Sequence, residues 1–443
     1  MITNLRIKNL KAWGEQLWEE GIEMAPITLF LGPNSAGKTS LLQAPLILKQ
    51  TFESPDRTLD INLGGQPADL VDVGTVDSIL HRSSKTATEL GIGLTMRIGT
   101  DDLVHRAEWM KWGSAFSIKR LEISKNGTAY AADRTSKGGY LLTGPRYKAK
   151  KQGDQVNGIR KFKPERSLSF SAEALAELGE VGASAQDLSL EILRQVTSIS
   201  YLGPLRQPPE RTTLWSGGDP SDIGKSGALA IHALLASLNR KERQRADKEG
   251  GASWLVDKVS PWLARLGVAD KLAIERQGRS RHYELLLYRG DRSSNIMDVG
   301  FGVSQVLPML VLSYLAAPGS TIIVEQPELH LHPRAQSGLA DLMVEVARER
   351  KIQFIVETHS EHLFRHLQTL IAEERVSNND CRLYFVDRGD EGNAQLTRLE
   401  VNEFGRVANW PKAFFGDTLG ETAKQTELMI ARMTRTGGST SHG

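Results

Sequence analysis

The sequence predicts an α/β fold built around a phosphate-binding loop, and three segments carry that prediction. Residues 26–31 form an apolar run that suits a buried strand, and the motif G-x-x-x-x-G-K-[ST] and a helical pattern follow it. Two later β-branched and apolar runs, at 321–324 and 352–356, suit buried parallel strands. Polar side chains follow both runs, at the sheet edge where α/β proteins bind their ligands.

The glycine-rich motif predicts a nucleotide site. Its glycines let backbone N–H groups form one concave nest, and the N-terminus of the following helix adds positive charge. We expect Lys38 to reach the β- and γ-phosphates and the Thr39 hydroxyl to ligate Mg²⁺. A turn that binds nothing is the alternative, and the motif alone does not choose among kinases, GTPases and ATPases. The candidate residues are Gly32, Pro33, Asn34, Ser35, Ala36, Gly37, Lys38, Thr39 and Ser40.

The segment after the run 321–324 predicts the metal-binding and catalytic half of the site. We expect Glu325 to contact Mg²⁺ through a bridging water. Glu325 and Thr39 are therefore the candidate metal-binding residues. Gln326 can orient a water molecule but cannot take its proton. Catalysis then depends on positioning and electrostatics, or Glu328 substitutes as the base, or hydrolysis is slow. We predict slow turnover, with ATP acting as an assembly or conformational ligand.

Two further features complete the candidate site. His359 follows the run 352–356 and is placed to contact the γ-phosphate or the attacking water, although a surface histidine is the alternative. A glycine-rich turn at 298–305 opens the apolar run 306–314 and predicts an anion site at a helix N-terminus. A helix cap and nothing more is the alternative there. The turn contributes Gly300, Gly302 and Ser304 as candidate nucleotide contacts.

Composition constrains the partners and the compartment. The 55 basic and 53 acidic residues give a net charge of +2, so the whole chain demands no polyanionic partner. One cysteine, Cys381, excludes an internal disulfide and favours a reducing cytosol. No stretch approaches the roughly 18–20 apolar residues that cross a bilayer, and the first residues do not resemble a signal peptide. We therefore expect a cytoplasmic protein without a membrane partner.

The chain divides into one large unit and a short C-terminal part. The predicted parts are a head at 1–390, with an antiparallel β segment at 88–142, a basic loop at 145–170 and a helical insertion at about 171–270, then a C-terminal segment at 391–433 and a disordered tail at 434–443. The basic loop carries Arg146, Lys148, Lys150, Lys151, Arg160, Lys161, Lys163 and Arg166. It is either a flexible surface loop or a docking site for an acidic protein or a nucleic acid.

These motifs resemble the heads of ABC-type and SMC-like ATPases in order and spacing. Residues 299–305 look like a degenerate ABC signature, with Gly302 on the signature glycine. Residues 327–333, Pro-Glu-Leu-His-Leu-His-Pro, are similar to the Walker B and D-loop segment of OLD-like predicted ATPases. Thr358-His359 matches the switch histidine. Where ABC proteins typically carry Asp-Glu after the Walker B strand, this chain has Glu325-Gln326.

This resemblance implies a fold, cofactors and an assembly. The fold class is α/β, a P-loop ABC-type ATPase head with an antiparallel β subdomain and a helical insertion. The cofactors are ATP and Mg²⁺. In ABC-type heads the signature faces the nucleotide of another subunit, so the resemblance implies a homodimer or a higher homo-oligomer that sandwiches ATP.

A narrower resemblance covers nearly the whole chain. Residues 200–206 and 401–405, with Trp410-Pro411 and Phe414-Phe415, look like a bacterial family of predicted ATPases that includes the AriA subunits of PARIS-type anti-phage systems. The resemblance implies a defence sensor that holds or releases a Toprim-type nuclease effector. The segment after Asp387 is too short for a Toprim domain, so the effector is expected on a separate protein. An acidic, DNA-mimicking phage protein is a candidate trigger.

Three other functions share parts of this motif pattern. A DNA repair or maintenance ATPase of the RecF or SMC-like type is the main alternative, and DNA-stimulated hydrolysis would favour it. An ABC transporter subunit is disfavoured by the degenerate signature and the long insertions. A P-loop kinase lacks a recognisable acceptor site and lid. Arg206 and Arg211 are left open, as contacts to nucleotide, contacts to a neighbour or structural residues.

Overall fold

The computed structural model of the chain describes residues 1–81, 87–145, 147, 162–246, 255–389, 393–411, 424 and 426–429. The strands are β1 (Ile2–Lys8), β2 (Ile22–Glu23), β3 (Ile27–Leu31), β4 (Glu89–Ile98), β5 (Asp101–Trp112), β6 (Ala115–Lys125), β7 (Thr128–Arg134), β8 (Tyr140–Thr143), β9 (Ile199–Leu202), β10 (Thr213–Leu214), β11 (Lys271–Arg276), β12 (His282–Arg289), β13 (Arg292–Asn295), β14 (Thr321–Glu325), β15 (Gln353–Glu357), β16 (Cys381–Arg388) and β17 (Ala394–Leu399). The helices are α1 (Gln16–Glu19), α2 (Lys38–Glu53), α3 (Val76–Ile79), α4 (Ala172–Leu178), α5 (Gly182–Thr197), α6 (Ala230–Ala246), α7 (Leu255–Arg265), α8 (Phe301–Leu315), α9 (Pro333–Arg350) and α10 (Glu361–Ala372).

A mainly parallel sheet forms the centre of the molecule, in the order β17-β16-β3-β15-β14-β9. β3 lies between β15 and β16 and is parallel to both, whereas β17 pairs antiparallel with β16. Every residue of β3, β14 and β15 is buried, which explains their continuous apolar composition. Alternate side chains enter two hydrophobic cores: Ile323 enters the first core and Ile322 the second. The strands expected at 26–31, 321–324 and 352–356 are thus present.

A seven-stranded antiparallel sheet, in the order β2-β1-β4-β5-β6-β7-β8, packs beside the parallel sheet. Its strands β4 to β8 correspond to the segment predicted at 88–142, and β1 extends it by pairing with β4. The Trp109 indole fixes this sheet to the rest of the molecule, because its N–H donates to the Ser167 hydroxyl at 2.8 Å and to the Asp60 carbonyl at 3.2 Å. The predicted α/β head with an antiparallel subdomain is confirmed.

Two predicted boundaries differ from the structure. The region at 171–270 contains α4 to α7, but β9 runs through it and pairs in parallel with β14 as an edge strand of the central sheet. The region is therefore not a purely helical insertion, because its apolar residues 199–202 complete the sheet. The head also continues past residue 390, since β17 forms an antiparallel hairpin with β16.

The described residues cover only part of the predicted basic loop and none of the predicted tail. Lys163 of the basic loop pairs with Asp60 at 2.7 Å, and the Arg166 guanidinium donates to the Phe52 carbonyl. The other six basic residues of that loop and the tail at 434–443 lie outside the described residues. Within the described ranges, no helix has both the length and the hydropathy that crossing a membrane requires.

Candidate nucleotide-binding site

The phosphate-binding loop joins β3 to α2 at the carboxyl edge of the parallel sheet. Gly32 has a φ of 138°, and a Cβ there would lie 2.0 Å from the carbonyl oxygen of Val386. Gly37 caps α2 with a φ of 112°. Both positions therefore require glycine, for close approach at the first and for backbone conformation at the second.

Two distant segments hold the outside of this loop. The Trp13 indole N–H donates to the Gly37 carbonyl at 3.0 Å, and Trp13 itself is buried. The Arg388 guanidinium donates to the Ser35 carbonyl at 3.3 Å. The loop is thus supported by the segment after β1 and by the last residue of β16, so its shape is fixed before any ligand binds.

The side chains of Lys38 and Thr39 both face the end of β15. The Lys38 ammonium donates to the carbonyls of Gly32 and Pro33, at 3.1 and 2.7 Å, and lies 3.7 Å from the Glu357 carboxylate. The Thr39 hydroxyl donates to the other oxygen of Glu357 at 2.8 Å. Burial lowers the pKa of Lys38, against the opposing charge of Glu357.

Glu325 and Glu357 end neighbouring strands and are register partners. Glu325 accepts a hydrogen bond from the Tyr201 hydroxyl at 2.7 Å, and Arg206 donates to the Glu325 backbone carbonyl at 3.1 Å. Burial raises the pKa of Glu325 to about 7, and the charge of Glu357 acts in the same direction while the bond from Tyr201 opposes it. Burial also raises the pKa of Glu357, and Thr39 and Lys38 counter it.

The turn after β14 carries Gln326 and Glu328. Gln326 has a φ of 45°, and its backbone N–H donates to the Glu357 carbonyl at 2.7 Å. Glu328 is buried, and one of its carboxylate oxygens accepts from the backbone N–H of His359 at 2.6 Å. Burial raises the pKa of Glu328. Burial and the nearby Lys38 ammonium lower the pKa of His359, so a neutral imidazole is favoured at the mouth of the site.

The signature-like turn lies at the start of α8. Gly300 is the residue before the helix, and the Ser304 hydroxyl donates to the Phe301 carbonyl within the first turn. A Cβ on Gly302 would lie 3.3 Å from the His330 carbonyl, so this turn packs close to the turn that follows β14. Within the described chain, no hydrogen bond or ion pair joins Gly300, Gly302 or Ser304 to the loop at 32–40.

The arrangement fits a nucleotide with a bound Mg²⁺. A glycine nest, a buried lysine and a helix N-terminus form a phosphate cradle. Hydroxyl and carboxylate oxygens are the hard ligands that Mg²⁺ prefers, and it commonly takes only one or two carboxylates beside substrate phosphates and water. The described residues hold no cluster of three or more His, Cys, Asp or Glu side chains suited to a metal.

Three site residues lay outside the sequence-based candidates. Glu357 contacts both motif side chains, the Tyr201 hydroxyl donates to the Glu325 carboxylate, and the buried Arg206 guanidinium donates to the Glu325 backbone carbonyl. Arg211 forms a two-point ion pair with Asp298. A signal for Glu357 did exist, because an acidic residue ending a buried apolar strand is costly without a partner.

The site and the sheet that carries it define a P-loop ATPase domain. The chain belongs to the family described as "AAA domain, putative AbiEii toxin, Type IV TA system", whose sequence model matches residues 27–365. A second model, "Protein of unknown function (DUF3696)", matches residues 376–425. No curated protein matches the chain significantly.

Solved SMC heads are among the similar structures. One is an SMC head bound to the C-winged helix domain of ScpA, with 14% identity, a TM-score of 0.45, and coverage of 91% of this chain and 98% of that one. The SMC head of Thermotoga maritima shows 13% identity, a TM-score of 0.42, and coverage of 90% and 99%. The Pyrococcus furiosus head with an extended coiled coil, bound to the C-terminal domain of ScpA, shows 12% identity, a TM-score of 0.42, and coverage of 90% and 96%.

Proposed function

We propose that this chain is an ATP-binding, slowly hydrolysing ABC-type ATPase that acts as a sensor and scaffold for a nuclease-type effector in bacterial anti-phage defence. One observation supports the ATPase part most strongly. The motif side chains Lys38 and Thr39 converge with the buried carboxylates that end β14 and β15 at one edge of a parallel sheet. That edge is where α/β proteins bind nucleotides.

The residues present support binding better than rapid turnover. Lys38 exchanges its backbone carbonyl partners for phosphate oxygens, and Thr39 with Glu325 supplies oxygen ligands to a cation. Bound Mg²⁺ would neutralise charge that develops on the phosphates. Gln326 orients a water molecule without accepting its proton. Glu328 is the acidic residue of this turn, and its bond from the His359 N–H already engages one oxygen. Slow hydrolysis follows from that combination.

Steady-state ATP hydrolysis, measured beside equilibrium nucleotide binding, tests this proposal. We expect weak hydrolysis in the wild type and loss of both binding and hydrolysis in Lys38→Ala. Nucleotide binding without hydrolysis would reduce ATP to a structural ligand. Absence of nucleotide binding in the wild type would overturn the proposal, and strong stimulation by DNA would favour a DNA maintenance ATPase.

The signature-like turn supports a nucleotide-dependent homodimer as part of the same proposal. Two large apolar side chains flank Gly300, Met297 at 47% exposure and Phe301 at 72%. We propose that a second chain covers these two side chains, because removing apolar surface from water is favourable. Light scattering with ATP and Mg²⁺ should show a dimer that Phe301→Glu abolishes. Phe404→Glu, at a side chain exposed by 67%, is the matched control that should still dimerise.

The defence role rests on the family description, which names a putative toxin of a toxin–antitoxin system. The effector and an acidic phage protein as trigger are the partners that we propose. Phage plating on cells that carry the intact system should show protection, and Lys38→Ala should remove it. Unchanged protection in that variant would separate defence from nucleotide binding.

A further inference from the structure

Glu357 occupies the centre of the site and has two partners from the phosphate-binding loop. It ends β15, the strand between the loop strand β3 and β14, and it is 4% exposed. One carboxylate oxygen accepts from the Thr39 hydroxyl at 2.8 Å, and the other lies 3.7 Å from the Lys38 ammonium. The carboxylate thus contacts both the side chain expected to bind the cation and the side chain expected to bind phosphate.

The bond to Thr39 determines which way that hydroxyl faces. A hydroxyl has one proton to donate and two lone pairs to offer. A threonine in the first turn of a helix can also turn its proton toward a nearby backbone carbonyl. Because Glu357 takes the proton, the oxygen lone pairs of Thr39 point away from Glu357 and are available to a cation. Partners that orient a metal ligand in this way strengthen metal binding.

The ion pair with Lys38 has the opposite effect on the phosphates. The Glu357 carboxylate partly neutralises the Lys38 ammonium and is itself repelled by a polyphosphate. Metal-free nucleotide therefore meets a negative charge at the base of the loop. Nucleotide that arrives with a divalent cation meets a prepared hydroxyl and an attractive carboxylate instead.

We propose that Glu357 is a positioning residue that orients the Thr39 hydroxyl toward a divalent cation and makes nucleotide binding depend on that cation. The inference rests on the proposed nucleotide site and adds a residue and a selectivity to it. A purely structural role, fastening α2 to β15, would weaken nucleotide binding equally with and without the cation. The two roles therefore predict opposite changes in nucleotide affinity without the cation when Glu357 is replaced. The positioning role predicts a gain, and the structural role predicts a loss.

The test is a titration of a fluorescent ATP analogue against the full chain, with Mg²⁺ and with EDTA. Glu357→Gln should lower the enhancement by Mg²⁺ by roughly 10-fold to 100-fold, the range found when partners of metal ligands are removed. In EDTA the same variant should bind the analogue more tightly than the wild type, because a negative charge has left the phosphate site. Both effects together support the proposal.

Two further variants control for charge and folding. Glu361→Gln makes the same chemical change on the exposed first turn of α10, where Glu361 pairs with Arg365, and should leave both affinities unchanged. Thr39→Val should lose the Mg²⁺ enhancement without a gain in EDTA, because Glu357 keeps its charge. Thermal unfolding of each variant without nucleotide checks that it is folded.

The outcomes separate this inference from the proposed function. If Glu357→Gln weakens both affinities in parallel, or behaves like Glu361→Gln, the inference is wrong while the nucleotide site stands. If Glu357→Gln does not fold, Thr39→Val provides the test. The inference is wrong if Thr39→Val keeps the full enhancement of nucleotide binding by Mg²⁺. If the wild type binds no nucleotide under either condition, the proposed function itself fails.

Discussion

Acidic residues behave in opposite ways in the two large sheets of this molecule. In the antiparallel sheet, Glu89 accepts from Lys8 at 2.9 Å and also from Lys119. Burial acts to raise the pKa of Glu89, but these two bonds outweigh it and the pKa is lowered. At the edge of the parallel sheet, burial raises the pKa of Glu325, Glu328 and Glu357.

This difference in the direction of the pKa shifts shows which acidic side chains stabilise the folded state and which destabilise it. Partly exposed, paired charges stabilise the antiparallel sheet modestly at neutral pH. Buried carboxylates with raised pKa values destabilise the parallel edge at neutral pH, since the folded state resists their ionisation. Such perturbed groups collect at functional sites. The antiparallel sheet, the scaffold of the molecule, is therefore stabilised by its paired charges, whereas the parallel edge, where we propose the nucleotide site, is destabilised by its own.

The largest expected effect is a difference in stability between two glycine substitutions, one at the parallel edge and one in the antiparallel sheet. Gly32→Ala places a Cβ against the Val386 carbonyl in a conformation that alanine avoids, and we expect a loss of about 3 kcal/mol in unfolding free energy with loss of nucleotide binding. Gly113→Ala, in the open β5–β6 turn at φ 64°, should cost about 1 kcal/mol and leave binding intact. Chemical denaturation measures the unfolding free energy of both variants. Equal losses of stability would contradict the expected difference between the two regions.

Neutralising one carboxylate in each sheet should change the unfolding free energy by a smaller amount. The change should have opposite signs in the two sheets. Glu325→Gln should stabilise the nucleotide-free protein at pH 8 by on the order of 2 kcal/mol, because a buried charge is removed while the Tyr201 bond has an acceptor. Glu89→Gln should destabilise it by less than about 1 kcal/mol, since Lys8 and Lys119 lose a charged partner. Denaturation midpoints for the two variants compare the signs directly.

The Glu325 effect must also depend on pH. Its folded pKa, about 7, lies above the ordinary value of 4.5, so the unfolded chain releases the proton first as pH rises. The destabilisation by Glu325 grows between these two values and is complete above the higher one. The advantage of Glu325→Gln should therefore be smaller at pH 5.5 than at pH 8. An advantage that does not change with pH would contradict the raised pKa.

The smallest effect is expected at the exposed end of the scaffold. Arg97 and Asp102 form a two-point ion pair between β4 and β5, and their side chains are 53% and 44% exposed. Solvent and salt screen such a pair strongly. Arg97→Ala should leave the thermal midpoint and nucleotide binding unchanged within error. A clear fall in the midpoint would mean that scaffold charges contribute more than their exposure allows.

Several features were predictable because their signals are local. Strand, glycine loop and helix follow one another directly along the chain, so β3, the loop and the start of α2 could be placed from residues 26–48, although α2 continues to Glu53. The continuous apolar runs of β14 and β15 identify strands that are buried on both faces. The helix expected after the glycine-rich turn at 298–305 is also present, but α8 begins at Phe301, inside the segment that was expected to form the turn.

The boundaries failed where the decisive contact is distant in sequence. β9 is too short to stand out between helices, and only its pairing with β14 makes it part of the central sheet. The hairpin of β16 and β17 likewise carries the head past residue 390. Predicted roles for Gly300, Gly302 and Ser304 stay predictions, because they concern a second chain.

By itself the sequence determined the α/β fold class and the position of the glycine loop, because β3, the loop and α2 follow one another directly along the chain. Only the tertiary structure decided which acidic group meets Lys38 and Thr39. Glu357 is more than three hundred residues away along the chain from Thr39, and the parallel pairing of β15 with β3 brings the two within 2.8 Å. Strand order sets such encounters, and strand order is a property of long-range packing that no local pattern encodes.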